Sequence, residues 1–155
     1  MAIRNVVKEG DEVLRKTARP VTDFNDRLHT LLDDMAETMY KENGCGLAAN
    51  QVGILRRVVV IDTGEGLIEL VNPEIIKKSG SQQEVEGCLS CPGEYGITKR
   101  PMKVTVKASD RFGNEKIYEG EGLLARAFCH ELDHLDGILY KDNVIRMLSP
   151  DELES

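Results

Sequence analysis

One short motif limits what this chain can fold into: an H-E-x-x-H pentapeptide at residues 130–134, inside a strongly apolar segment. Apolar residues in this segment recur at helical spacing and cover most of a helical circumference, which predicts a helix from about Glu121 to Asp136 with Gly137 as its stop signal. A helix that is apolar nearly all round is a buried one. The rest of the chain is therefore expected to pack around it.

The motif itself predicts a metal site. His130 and His134 are four residues apart, so both imidazoles project from one helical face and can reach one cation. Glu131 projects about 100° around the helix, close enough to touch a water at the metal without being a ligand. Two histidines simply packed in a core are disfavoured, because burying them beside a carboxylate costs free energy unless they are paired or bound to a metal.

A hydrolytic metal site needs a third protein ligand and an open position for water. His29, the only other histidine, is expected to be a surface residue of the first helix. One class of metalloprotease extends the motif to a third histidine, but this chain has Tyr140 at that position. The third ligand is therefore sought among the cysteines.

The chain has four cysteines, and they offer two kinds of site. Cys129 is expected to be a small buried residue, and Cys45 could line a pocket from its glycine-rich loop. Cys88 and Cys91 form a C-x-x-C pair that could combine with the two motif histidines in a closed structural zinc site. The 38 residues between Cys91 and His130 far exceed the usual zinc-finger spacing. A closed site would also leave Glu131 without a task.

The remaining periodicity predicts an α+β fold. A helix is expected from about Phe24 to Asn43, capped by Asp23 or Asn25 and ended by Gly44. Short connections between the β-branched runs that follow favour antiparallel pairing. The expected architecture has antiparallel or mixed sheets wrapped around the central helix that carries the motif. The predicted strands are Arg56–Asp62, Leu67–Val71, Ser81–Val85 and Lys103–Ala108.

The length and the net charge of the chain limit the classes of function that it can have. The 155 residues favour a single domain over residues 1–155. With 20 Lys and Arg against 27 Asp and Glu, the net charge of −7 gives no broad attraction to nucleic acid or to anionic membranes. The apolar stretch at Val58–Ile61 is too short to span a bilayer, and no secretory leader is visible. A cytoplasmic protein with reduced cysteines is expected.

Three segments together resemble the peptide deformylase family. GCGLAANQ at residues 44–51, EGCLS at 86–90 and HELDHLDG at 130–137 are similar to its three signature motifs, in the same order and at approximately the same spacing. H-E-x-x-H alone is shared with many metallopeptidases, whereas the three together are highly specific. The resemblance extends over nearly the whole chain, from about Ile3 to Arg146.

The resemblance implies a metal centre and its chemistry. It assigns the ligands to Cys88, His130 and His134, and leaves Cys91 as a bystander. It makes Glu131 the group that exchanges the proton of the attacking water. It assigns oxyanion stabilisation to the Gln51 side-chain amide and the backbone N–H of Leu89. The implied ion is Fe(II), with zinc, nickel or cobalt able to occupy the same donors.

The resemblance also implies the substrate: N-formylmethionyl peptides and nascent chains, which lose formate. An extended peptide could add as a strand alongside the backbones of Gly46 and Gly87. Some members of the family dock on the ribosome through a longer C-terminal helix, so at most a transient ribosome contact is expected here. No specific nucleic acid and no membrane partner is expected. By the same resemblance, the residues near the methionine pocket are Cys45, Glu86, Leu123, Arg126 and Ala127.

Two other functions remain open on sequence alone. An H-E-x-x-H endopeptidase would cleave internal peptide bonds and ignore an N-formyl group. A zinc-stapled binding module would depend on Cys91 for its metal and would not need Glu131.

Overall fold

Two antiparallel sheets and a central helix organise the chain in the computed structural model, which describes residues 2–154. In this range the helices are α1 (Asp26–Lys41), α2 (Leu123–Leu135) and the short α3 (Pro150–Glu154). The strands are β1 (Gly46–Ala48), β2 (Val58–Ile61), β3 (Ile68–Ser79), β4 (Gln82–Cys88), β5 (Cys91–Arg100), β6 (Lys103–Ser109), β7 (Glu115–Glu121) and β8 (Val144–Met147).

The larger sheet has the order β1-β2-β3-β6-β7, and the smaller one has the order β4-β5-β8. Every ladder between named strands is antiparallel. This agrees with the short connections seen in the sequence and confirms the predicted α+β class with antiparallel sheets.

The larger sheet lies between the two long helices. Residues alternate across a strand, so Val58 and Val60 of β2 pack in one apolar cluster with α1, while Val59 and Ile61 pack in the other with α2. Both faces of this sheet are thus buried at β2. Within the described residues, neither cluster contains a residue of β4, β5 or β8.

The first helix forms as its sequence predicts. Asn25 caps it, since its side chain accepts a hydrogen bond from the Leu28 N–H. The apolar residues at spacings of three and four are buried against the sheet. His29 of this helix is half-buried, and its Nε2 lies 2.8 Å from the Arg111 carbonyl oxygen.

Three of the four predicted strands extend further than their sequences suggest, whereas β2 is shorter than the predicted Arg56–Asp62. Strand β3 continues past Val71, where the prediction ended, because a register shift between Val71 and Glu74 absorbs Pro73. Asn72 adopts a φ of 52° there, and its amide pairs with the Val21 backbone at 2.8 and 2.9 Å.

Close packing of the sheet edge on α2 requires one glycine. A Cβ on Gly120 of β7 would lie 2.7 Å from a ring carbon of Phe128, so only glycine lets the strand approach the helix this closely. The absence of a side chain at Gly120 thus allows α2 to pack directly against β7. None of the described helices is both long enough and apolar enough to cross a membrane.

Candidate active site

Helix α2 and the β4–β5 hairpin bring together three side chains that could bind a metal ion. His130 and His134 lie one turn apart on α2, with their Nε2 atoms 3.2 Å apart. Cys88, the last residue of β4, places its Sγ 3.4 Å from the His134 Nε2. The three donor atoms all lie within 4.8 Å of one another.

The chemistry of these donors fits a single cation. Ligands that each lie about 2.0–2.3 Å from one ion are separated by distances of this size. Burial lowers the pKa of His134 well below its usual value, which keeps the imidazole neutral as a ligand must be. Two imidazole Nε2 atoms and a sulfur therefore converge at separations that could hold one metal ion.

A buried carboxylate orients the first histidine. Glu86 Oε2 lies 2.7 Å from His130 Nδ1, so Nδ1–H donates to it and the Nε2 lone pair faces Cys88 and His134. Arg100 donates two hydrogen bonds to Glu86, and Thr98 donates a third at 2.9 Å. Burial raises the pKa of Glu86, but the hydrogen bonds from His130 and Arg100 outweigh it and lower this pKa to about 2.

The same arginine ties the hairpin sheet to the helix. Arg100 Nη1 also donates to Asp133 of α2 at 2.8 Å, and the arginine side chain is only 7% exposed. Sequence reasoning missed this connection. Asp133 lies within the H-E-x-x-H motif, but nothing in the sequence around Arg100 or Thr98 marks either residue as a partner of the motif.

Glu131 follows His130 on α2 and lies against Gly46. Its side chain is buried, and within residues 2–154 its Oε1 has no hydrogen-bond partner. Burial raises the pKa of this carboxyl to about 7. A Cβ on Gly46 would lie 2.5 Å from Glu131 Oε2, so the missing side chain at residue 46 is what gives the carboxylate its place.

Gly46→Ala is therefore expected to lower kcat/KM about 10–100-fold by displacing the Glu131 carboxylate, because misplacing a catalytic group by about 1 Å can cost that much. The measurement is formate release, with metal content and thermal stability compared with the parent protein. Glu131→Asp supplies the control, since the shorter side chain removes the clash. If the losses from Gly46→Ala and Glu131→Asp simply multiply in the double variant, displacement of Glu131 is not the cause.

Gln51 points its amide nitrogen toward Cys88. Its Oε1 accepts from the Ala48 N–H at 3.0 Å, which fixes the amide orientation. Its Nε2 is then directed at Ser90 Oγ, 3.2 Å away, and at Cys88 Sγ, 3.5 Å away. The side chain is almost fully buried, so a donor is held in place next to the site.

A cavity of about 750 Å³ opens over these groups. His134 lies behind its wall, fully buried. Val85 and Tyr95, both substantially exposed, also contribute to the wall and were not anticipated from sequence. The residues singled out from sequence that line it are Cys45, Gly46, Gln51, Glu86, Gly87, Cys88, Leu89, Leu123, Arg126, Ala127, His130 and Glu131.

The other two cysteines lie outside the cluster of donors. Cys129 is buried in the apolar cluster beside α2. Cys91 faces Cys88 across the hairpin and their side chains hydrogen-bond. Its Sγ nevertheless lies within 4.8 Å of the carboxylates of Glu9 and Glu94 and does not form such a close group with the two histidines. Both carboxylates are paired with Lys141, at 2.7 and 2.8 Å. This arrangement speaks against a closed site of two cysteines and two histidines.

Fold and site together define a class: a metal-dependent hydrolase in which two histidines of an H-E-x-x-H helix and a hairpin cysteine could hold the metal ion. The sequence profile of the polypeptide deformylase family matches residues 3–149. The chain belongs to this family, whose members depend on a metal ion.

Individual relatives agree over nearly their whole length. The chain is 62% identical to a peptide deformylase of Caldanaerobacter subterraneus subsp. tengcongensis over 154 residues, which is 99% of this chain and 97% of the relative. A crystal structure of peptide deformylase from Thermotoga maritima superposes with a TM-score of 0.90 at 41% identity, covering 92% of this chain and 97% of that one. The Legionella pneumophila peptide deformylase structure gives 0.88 at 48% identity, covering 97% and 88%.

Proposed function

We propose that this chain hydrolyses the formamide of N-formylmethionyl peptides, releasing formate and a free N-terminus on newly made polypeptides. One observation carries the proposal: the Glu131 carboxylate lines the same cavity as the thiol and imidazole donors of Cys88 and His130. The family relationship supplies the substrate class. Formylated nascent chains would be met in the cytoplasm.

The residues of the site divide the work between them. Cys88, His130 and His134 would hold a divalent ion, which when bound acidifies the attacking water and polarises the formyl carbonyl. Glu131 takes the proton from that water as the oxygen attacks the formyl carbon. As the C–N bond breaks, Glu131 returns the proton to the amine nitrogen, so the immediate products are formic acid and a neutral amine. The formic acid then loses its remaining proton to solvent and leaves as formate.

The negative charge that develops on the formyl oxygen needs donors already in place. Gln51 Nε2 is held near Cys88 by the hydrogen bond of its Oε1 to Ala48. The Leu89 N–H, at the hairpin turn directly after Cys88, is the second donor in this assignment. Both residues line the cavity.

The identity of the ion is part of the proposal. One thiolate and two imidazoles suit iron and also zinc, nickel or cobalt. We assign Fe(II), with Cys88 then prone to oxidation in air. Metal analysis of protein purified without oxygen tests this assignment, and zinc alone in fully active protein would overturn it.

The function is tested by formate release from a short formyl-Met peptide, beside the acetyl-Met peptide of the same sequence, using protein prepared without oxygen. Formate from the first and no acetate from the second is expected. Cleavage at internal bonds of both peptides would instead identify an endopeptidase. A metal-loaded protein that turns over neither would refute the proposed activity.

Gln51→Leu is expected to reduce kcat by about 10²–10³-fold, because it removes one oxyanion donor. Leucine has a similar volume, so the protein should fold and keep its metal. Steady-state kinetics on the formyl-Met peptide measure the effect. A variant that retains parental kcat would show that Gln51 contributes nothing to the oxyanion.

A further inference from the structure

The wall of the active-site cavity carries a fixed positive charge. Arg126, in the first turn of α2, lines the cavity near Cys45 and Leu123 and is half-buried. Its side chain makes one hydrogen bond, from Nη1 to Gln82 Oε1 at 2.7 Å. A guanidinium has five N–H donors, so most of them remain available.

The glutamine that holds Arg126 is itself firmly anchored. Gln82 is only 7% exposed, and its Nε2 donates to the carbonyl oxygens of Pro101 and Gly122 at 2.9 Å each. Those two bonds fix which end of the amide faces the arginine. The guanidinium is thus positioned in advance, which reduces the entropy lost when it binds a ligand.

No carboxylate of residues 2–154 forms an ion pair with Arg126. By contrast, Arg100 of β5 is paired twice, with Glu86 and with Asp133. Four carboxylates line the cavity. Glu86 is bonded to Arg100 and His130, Glu131 lies against Gly46, and Glu94 is paired with Lys141. The fourth, Glu42, is exposed and forms no ion pair with Arg126 within the described residues. An arginine in this setting favours a carboxylate from outside the chain.

We propose that Arg126, positioned by Gln82, is a specificity-determining residue that favours substrates with an acidic side chain shortly after the formylmethionine. This inference rests on the proposed deformylase function. It follows from the place of Arg126 on the wall of the cavity that also holds Glu131, because a peptide whose formyl group is bound at Glu131 would occupy that cavity. A carboxylate there gains charge-assisted hydrogen bonds that an amide of the same shape gains only weakly.

The experiment compares formyl-Met peptides that carry Asp or Asn, and Glu or Gln, at the second, third or fourth residue. The readout is the ratio of kcat/KM for each acid to that for its amide, so that changes in overall activity cancel. At one of these positions the ratio is expected to be about 3–10. It should fall toward one as salt rises from about 50 mM to about 0.5 M.

Two variants assign the preference. Arg126→Met should bring the ratio to one, and Arg126→Glu should reverse it, so that Lys is then preferred to Gln at the same position. Arg27→Met, an exposed arginine of α1, changes the net charge equally and should leave the ratio unaltered. Gln82→Met should lower the ratio without abolishing it, because it frees the guanidinium to move.

The possible results distinguish failure of the role of Arg126 from failure of the proposed deformylase activity. A parent enzyme that cleaves every formyl-Met peptide with ratios of one refutes the role of Arg126 and leaves the deformylase activity intact. A ratio above one that persists in Arg126→Met assigns the preference to other groups and equally refutes it. If no formyl-Met peptide is cleaved, the proposed function itself fails.

Discussion

Glu131→Gln is expected to reduce formate release by about 10²–10⁴-fold while the protein keeps its metal. The amide has nearly the shape of the carboxylate but cannot accept the proton of the attacking water, and general acid–base catalysis is worth a factor of this size. Among residues 2–154 the Glu131 carboxylate forms no ion pair, so replacing it with an uncharged glutamine breaks none. Formate release and metal content, measured on the same preparation, test the prediction.

Glu84→Gln is the matched control for this experiment, because Glu84 is an exposed carboxylate on β4. Its removal makes the same chemical change outside the site and should leave the rate within about twofold, as surface substitutions usually do. Parental activity in Glu131→Gln would exclude Glu131 as the proton acceptor. Loss of metal from Glu131→Gln would point to a role for Glu131 in holding the ion.

Arg100→Leu is expected to destabilise the protein by about 3–5 kcal/mol, because breaking a buried pair leaves its partners uncompensated. Arg100 is 7% exposed and serves both Glu86 and Asp133. Leucine would leave both carboxylates in place without their cation. Equilibrium unfolding in urea measures the free energy of unfolding at constant metal concentration.

An exposed pair gives the comparison. Arg146 binds Glu152 at 2.8 Å with both side chains well exposed, so Arg146→Leu should cost less than about 1 kcal/mol. Adding Glu86→Gln to Arg100→Leu should recover part of the stability, since one orphaned charge is removed. An Arg100→Leu variant as stable as Arg146→Leu would show that the buried network contributes nothing.

The central helix and the proximity of its two histidines could be predicted from the sequence because their signals are local. The H-E-x-x-H spacing puts His130 and His134 on one face whatever surrounds them, and the structure places them accordingly. Cys88 was chosen as the third ligand because residues 86–90 resemble a motif of the family. The cysteine pattern alone left open a site that also uses Cys91. The apolar spacing of α1 likewise predicted that helix within two residues at each end.

The strands were harder because their stability comes from pairing. β5 contains Pro92, Gly93 and Gly96, residues that mark turns when read alone, yet pairing with β4 and β8 makes it a ten-residue strand. For the same reason the partners of Glu86 escaped prediction. The resemblance placed Glu86 near the substrate pocket. It gave no sign that the Glu86 carboxylate accepts hydrogen bonds from Arg100 of the next strand, because no local pattern encodes this contact.

Within residues 2–154, no residue of β4, β5 or β8 belongs to either apolar cluster. This has a thermodynamic consequence. The small sheet meets α2 through polar groups: Glu86 with His130, Arg100 with Asp133, and Cys88 with His134. An ion bound at Cys88 and the two histidines would cross-link segments 42 residues apart in sequence, much as a disulfide does. Docking of the small sheet and affinity for the ion are then one coupled equilibrium, in which each strengthens the other by the same factor.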